Sequence, residues 1–273
     1  MRPALAIALA TSLLGTALST GDASAHEFWI DPQAFEVAPG APVIADLRVG
    51  DRFVGPSFPY IPDQSLRFEI VAGGEARPVE SRMGDRPAVN EPAGEGLVIL
   101  THVTADHRLT WDTWEEFESF LRHKDAAWVL DRHAERGLPR EGVGEVYSRY
   151  AKALVAVGDG GGTDSEQGLV TEIVALANPY TDDVSGGLPV RVLYEGDPRP
   201  GAQVELFERA PDGTVAVSTV EADAEGVAVL PVRPGHAYLA DAVVLREPSA
   251  ERAEARNAVW ESLWASLTFA VPD

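Results

Sequence analysis

The chain has 273 residues, with 22 Lys and Arg against 43 Asp and Glu, and no cysteine. A formal net charge of −21 argues against nucleic acid or an anionic membrane as partner, since like charges repel. Thiolate chemistry is excluded with the missing cysteines, and with Met83 the one methionine after Met1, soft sulfur ligands for Cu(I) are effectively missing.

The first 25 residues predict a secretory signal peptide. Arg2 is the positive start, residues 4–19 are an apolar core, and Ala23-Ser24-Ala25 is a small-residue cleavage site. The apolar stretch is shorter than the roughly 20 residues that span a bilayer. Cleavage after Ala25 leaves a secreted, soluble chain that begins at His26. Arg2 and Asp22 leave together, so the net charge is unchanged.

From His26 to about residue 104 the chain reads as β. "APVIADLRVG", "SLRFEIVAG" and "GLVILTHVTA" are short Val, Ile and Leu-rich runs between Gly and Pro clusters. "GPSFPYIPD" is too rich in proline for a central strand. Residues 112–137 predict a helical insert. Trp114, Phe117 and Leu121 share one face, Thr113 with Glu116 forms a capping-box pattern, and Gly137 suits a stop. A second short helix from Asp125 would carry Trp128, Val129 and His133, with Trp114 and Trp128 on the apolar face.

"EVYSRYAKALVAVG" returns to β, with Val146, Tyr150 and Leu154 on one face and Tyr147, Val155 and Val157 on the other. "GDGGGTDSEQG" is a long turn or flexible loop and the best candidate boundary between domains. After it come closely spaced strands, including a hairpin expected around Asp223–Gly226. The expected fold class is mainly β. Two immunoglobulin-like or transthyretin-like sandwiches would span 26–165, with the helical insert, and 166–273.

A chain starting at His26 offers a divalent ion two nitrogens, the α-amine and imidazole Nδ1. The amine's pKa of about 7.7–8.0 lets a metal displace its proton near neutral pH. Such a chelate favours Cu(II) or Ni(II). Further ligands are needed. Of His102, His107, His123, His133 and His236, the preferred two are His102, near a strand end, and His123, in the helical insert. Asp241 and Glu172 are lower-ranked carboxylates, since acidic residues within apolar strands need a partner. The six tryptophans are read as core rather than as a sugar-binding platform. The chain has no Gly-x-Ser-x-Gly and no Cys nucleophile, so an enzyme is not expected.

"AHEFWIDP" after the signal peptide, "EVYSRYAKALVAVG", "EIVALANPY", "VRVLYEGDPRPGAQVELF", "ADAEGVAVLPVRPGHAYLADAV" and "WESLWASLTF" form an ordered set. In that set the chain resembles an uncharacterised bacterial periplasmic family, the nickel uptake transporter family proteins. The resemblance implies immunoglobulin-like β domains, with a C-terminal half similar to transthyretin-like and carboxypeptidase-regulatory sandwiches. It also implies export to the periplasm and an N-terminal histidine that ligates metal, here His26. The expected function is therefore capture of Ni(II), Co(II) or Cu(II) and delivery to a membrane metal-uptake transporter. The alternatives are a copper-dependent oxidase of polysaccharides, or a metal-independent module that binds carbohydrate or protein.

Overall fold

The computed structural model describes residues 26–273. The expected signal peptide, 1–25, lies outside the described residues. The chain opens with β1 (Glu27–Pro32), β2 (Glu36–Val37), β3 (Pro42–Gly50) and β4 (Ser57–Phe58). A 3-10 turn at Pro62–Gln64 leads into β5 (Ser65–Ala72), β6 (Glu75–Pro78), β7 (Val89–Pro92), β8 (Gly96–Thr104) and β9 (His107–Thr110). Two helices follow, α1 (Trp114–His123) and α2 (Trp128–Glu135), then β10 (Gly144–Val157), β11 (Thr171–Ala175), β12 (Leu188–Tyr194) and β13 (Asp197–Pro198). The chain closes with β14 (Gln203–Arg209), β15 (Val215–Glu221), β16 (Val227–Leu230), β17 (His236–Arg246), α3 (Ala250–Arg256) and β18 (Trp260–Val271).

The protein is mainly β, as expected, and among the described residues the strands form three sheets. A central ten-stranded sheet runs β15-β14-β17-β18-β10-β8-β5-β6, with β2 and β9 also paired to β10. A first small sheet runs β1-β3-β4 with β7 on β3, and another runs β11-β12-β13 with β16 on β12. Strands from both sides of residue 165 share the central sheet: β10 and β18 pair in parallel from Glu145↔Trp260 to Ala153↔Thr268.

Side-chain alternation explains the layers. Along β10, Ala151, Ala153, Val155 and Val157 pack with Phe28, Ile30, Val43 and Leu47 of the first small sheet. Leu154 points the other way, into a core with Ile173, Val190 and Leu206. Along β17, Ala240 and Ala242 join that same core. Leu239 instead meets Trp29, Phe53 and Phe207, while Val243 and Leu245 meet the helical insert. One face of the central sheet is thus covered by the first small sheet and the helices, and the opposite face by the sheet of β11 and β12.

The insert forms where its caps predict. Thr113 Oγ1 accepts from Glu116 N, and Glu116 Oε2 accepts from Thr113 N, both at 3.2 Å. Phe117, Phe120 and Leu121 are buried. Trp128 corrects the expected apolar face: it is 51% exposed and only edges Trp260, while Val129 and His133 take the buried positions. The expected hairpin at Asp223–Gly226 is also corrected. β15 belongs to the central sheet and β16 to the β11–β12 sheet, so this turn carries the chain between layers. Gly226 has φ +72, and a Cβ there would stand 2.8 Å from Arg199 N. His107 opens β9. The loop at 158–168 is held from within, because Asp164 is buried against Lys152. Among the described residues no helix is long and apolar enough to cross a membrane.

Candidate functional site

Three acidic residues converge where β1, β14 and β17 meet under the end of α1. Glu205 and Asp241 are direct cross-strand partners, an arrangement that repels unless a cation intervenes. Glu27 arrives from β1, and one carboxylate oxygen from each residue lies within 4.8 Å of the other two. All three residues are buried.

Lys124 supplies the cation. Its Nζ is 2.9 Å from Glu27 Oε1, 2.7 Å from Glu205 Oε2 and 3.1 Å from Asp241 Oδ2, which uses all three ammonium protons. It also lies 4.9 Å from the centre of the Trp264 ring. Gln203 fixes this end of α1 to β14 by donating from Nε2 to the His123 carbonyl at 2.8 Å. His123 is exposed at the rim, with Nε2 3.0 Å from Glu205 Oε1. Three carboxyl groups therefore meet one buried ammonium and one exposed imidazole. Asp241 Oδ1 is buried with no hydrogen-bond donor among the described residues.

The protonation states follow from this geometry. Burial pushes the Asp241 carboxyl up to about 7, against the pull of Lys124. Burial also raises Glu205, but hydrogen bonds from His123 and Lys124 more than offset it and leave that carboxyl lowered. The hydrogen bond to Glu205 raises His123. Burial pulls the Lys124 ammonium down, yet Asp241, Glu27 and Glu205 prevail and hold it above its ordinary value.

The three histidines singled out in the sequence are placed differently. His123 touches the acidic cluster through Glu205. His26 is half-buried, next in sequence to Glu27, and its carbonyl accepts from Arg149 Nη2 at 3.1 Å. His102 is buried among Phe28, Phe68 and Ser65, with Nε2 2.8 Å from Ser65 Oγ. Desolvation pulls its pKa to about 3, so it is neutral. Asp241 lies at the heart of the cluster. Glu172 belongs to a second buried group, in which Lys152 Nζ is 2.8 Å from Asp164 and 3.0 Å from Glu172.

Glu27, Glu205 and Lys124 were not singled out from the sequence. The signal for Glu205 was there: in "AQVELFER" it shares a strand face with Phe207, which is buried. Lys124 had no such signal, because it sits at a helix end where a basic residue is ordinary. Of the tryptophans, Trp29, Trp111, Trp260 and Trp264 are buried and Trp114 is half-buried, so these five make no exposed platform.

The layered sheets and their carboxylate centre define a mainly β protein with a buried acidic cluster. The chain belongs to the family described as Domain of unknown function (DUF4198), whose model matches residues 23–246. No curated protein matches the chain in sequence. Among solved structures, it is similar to a tetra-tandem repeat in the extending region of a large adhesion protein. The identity is 12%, the TM-score 0.22, and the match covers 91% of this chain and 50% of that one. It is also similar to the D0-D1 domain of Intimin, at 13% identity and a TM-score of 0.20, over 90% of this chain and 98% of that one. At these scores the likeness carries no argument about function.

Proposed function

We propose that this protein is an exported, periplasmic binder of a divalent transition-metal ion, held at Glu27, Glu205 and Asp241 with His123 at the rim. The observation that carries the reading is the charge and hydrogen-bond deficit of the cluster: three buried carboxylates share one ammonium, and Asp241 Oδ1 has no donor. A buried unpaired acceptor is costly, and a divalent ion would satisfy it. Cleavage after Ala25 would add the α-amine and imidazole of His26 beside Glu27. Mixed nitrogen and oxygen ligation suits Ni(II), Co(II) or Cu(II). Binding rather than catalysis is the role, with delivery to a membrane metal-uptake transporter, in line with the resemblance to nickel uptake family proteins.

The test is calorimetric titration of the mature chain, residues 26–273, with Co(II), Ni(II) and Cu(II). Asp241→Asn and His123→Ala should each weaken binding about tenfold or more. An additional residue before His26 should weaken it too if the terminal chelate takes part. Unchanged affinity in Asp241→Asn would remove the cluster from the metal site. Cu(II) will bind tightest whatever the cargo, by the Irving–Williams order. Metal analysis of protein taken from its native compartment identifies the physiological ion.

The short Lys124 distances favour a second reading, in which the cluster is a structural lock between α1 and the sheets. Lys124→Met separates the two. A lock loses stability and gains no metal affinity, whereas a metal site freed of its competing ammonium binds Co(II) more tightly.

A further inference from the structure

A cavity of about 160 Å³ lies between the first small sheet and the central sheet. Its lining is mostly apolar and aromatic: Phe28, Leu47, Phe58, Ile61 and Tyr147 are among its walls. Phe58 is 45% exposed, the least buried of these rings. Two polar side chains on the lining are buried and incompletely satisfied. Arg149 is 9% exposed, and its Nε has no hydrogen-bond partner among the described residues. His102 is 2% exposed, and its Nδ1 likewise has none.

Arg149 is the decisive group. Its guanidinium lies 4.7 Å from the centre of the Tyr147 ring and 5.9 Å from that of Phe28. Its Nη2 donates to the His26 carbonyl, a neutral acceptor. Among the described residues no carboxylate pairs with it. Glu27 and Asp241 act on it through space without touching it. A guanidinium stays protonated when desolvated, so burial leaves a positive charge with no carboxylate in contact. Arginine presents a planar fork that suits carboxylate oxygens. A cavity of about 150 Å³ with apolar walls accepts one benzene ring.

From this cavity and its buried cation we infer that the protein binds a small organic carboxylate with an apolar body about one ring in size. The carboxylate pairs with Arg149, the body lies among Phe28, Phe58 and Tyr147, and His102 Nδ1 is a further polar contact. The walls decide against a bare inorganic oxyanion, which would satisfy Arg149 and leave the aromatic surface uncovered.

The test uses the mature chain with a chelator present, so that it is independent of any metal. Benzoate, benzyl alcohol and inorganic sulfate are titrated by calorimetry, and His102 imidazole signals are followed by NMR. Benzoate should bind at least about tenfold more tightly than either other compound and shift the His102 signals, since it alone offers both a charge-assisted bond and an apolar body. Arg149→Met should abolish the preference for benzoate over benzyl alcohol, and Phe58→Ala should weaken benzoate. Equal binding of benzoate and benzyl alcohol, equal binding of benzoate and sulfate, or no benzoate binding would overturn the assignment. The three-compound comparison on the unaltered chain decides even if Arg149→Met does not fold.

Discussion

Lys124 Nζ lies 2.7 Å from Glu205 Oε2, joining the end of α1 to β14 across 81 residues of sequence. Both side chains are almost fully buried. Lys124→Met removes the one buried cation among three carboxylates. Stranding buried charge typically costs about 3–5 kcal/mol. Urea unfolding should show a loss of that size without metal. If the cluster takes a metal ion, Co(II) should restore more stability to this variant than it adds to the parent chain.

Lys152 makes the matched control. It pairs with Asp164 and Glu172, all three essentially without exposure. Asp164 also accepts from Ala175 N, and Glu172 from Gln167 N and Leu169 N, so the group ties the loop at 158–168 to β10 and β11. Lys152→Met should lose a similar roughly 3–5 kcal/mol. Hydrogen exchange should rise across residues 161–169, and Co(II) should restore nothing.

Glu145 is buried, and among the described residues no cation pairs with it. It accepts from Trp111 Nε1 at 2.8 Å and from Ser262 Oγ. Burial pushes its carboxyl up to about 7, despite those two bonds. The unfolded chain ionises this group near the ordinary 4.3. Between those two values the folded state holds more protons than the unfolded one, so stability falls as pH rises. The penalty is absent below the unfolded pKa and fully present above the folded one, at roughly 4 kcal/mol. Glu145→Gln keeps an acceptor for Trp111 without the charge. It should be more stable than the parent at pH 8 and nearly equal to it at pH 4, by chemical denaturation at both.

Thr113 caps α1 through Oγ1. Thr113→Ala leaves Glu116 N without this acceptor and should cost about 1 kcal/mol, read as a lower urea midpoint with an unchanged slope. Metal affinity should change little, because Thr113 caps the opposite end of α1 from His123.

Much of the local structure was legible. The capping pair Thr113 and Glu116, the buried face of Phe117 and Leu121, and the alternation along β10 are all short-range consequences of residue type and spacing. Trp128 was misplaced because a short helix leaves its first residue at the edge of the packed face. The Asp223–Gly226 turn was misread because turn chemistry says where a chain reverses and not which sheet receives it. Asp241 was noticed as an acid within an apolar strand, and Glu205 had the same signature. Their pairing with Lys124 was not visible, since it brings together residues 81 and 117 positions apart.

The order of residues by itself determined that this chain would be mainly β, where a helical insert would begin, and that Asp241 and Glu172 would need a partner. These follow from periodicity, capping and the cost of burying charge, each of which acts within a few residues. Only the tertiary structure decided that β10 would join β18 in one continuous sheet, and that Lys124 would stand among Glu27, Glu205 and Asp241 while Arg149 would be left without a carboxylate. Strand partnership and charge compensation depend on distance in space, and residues far apart in sequence acquire that distance only when the layers pack.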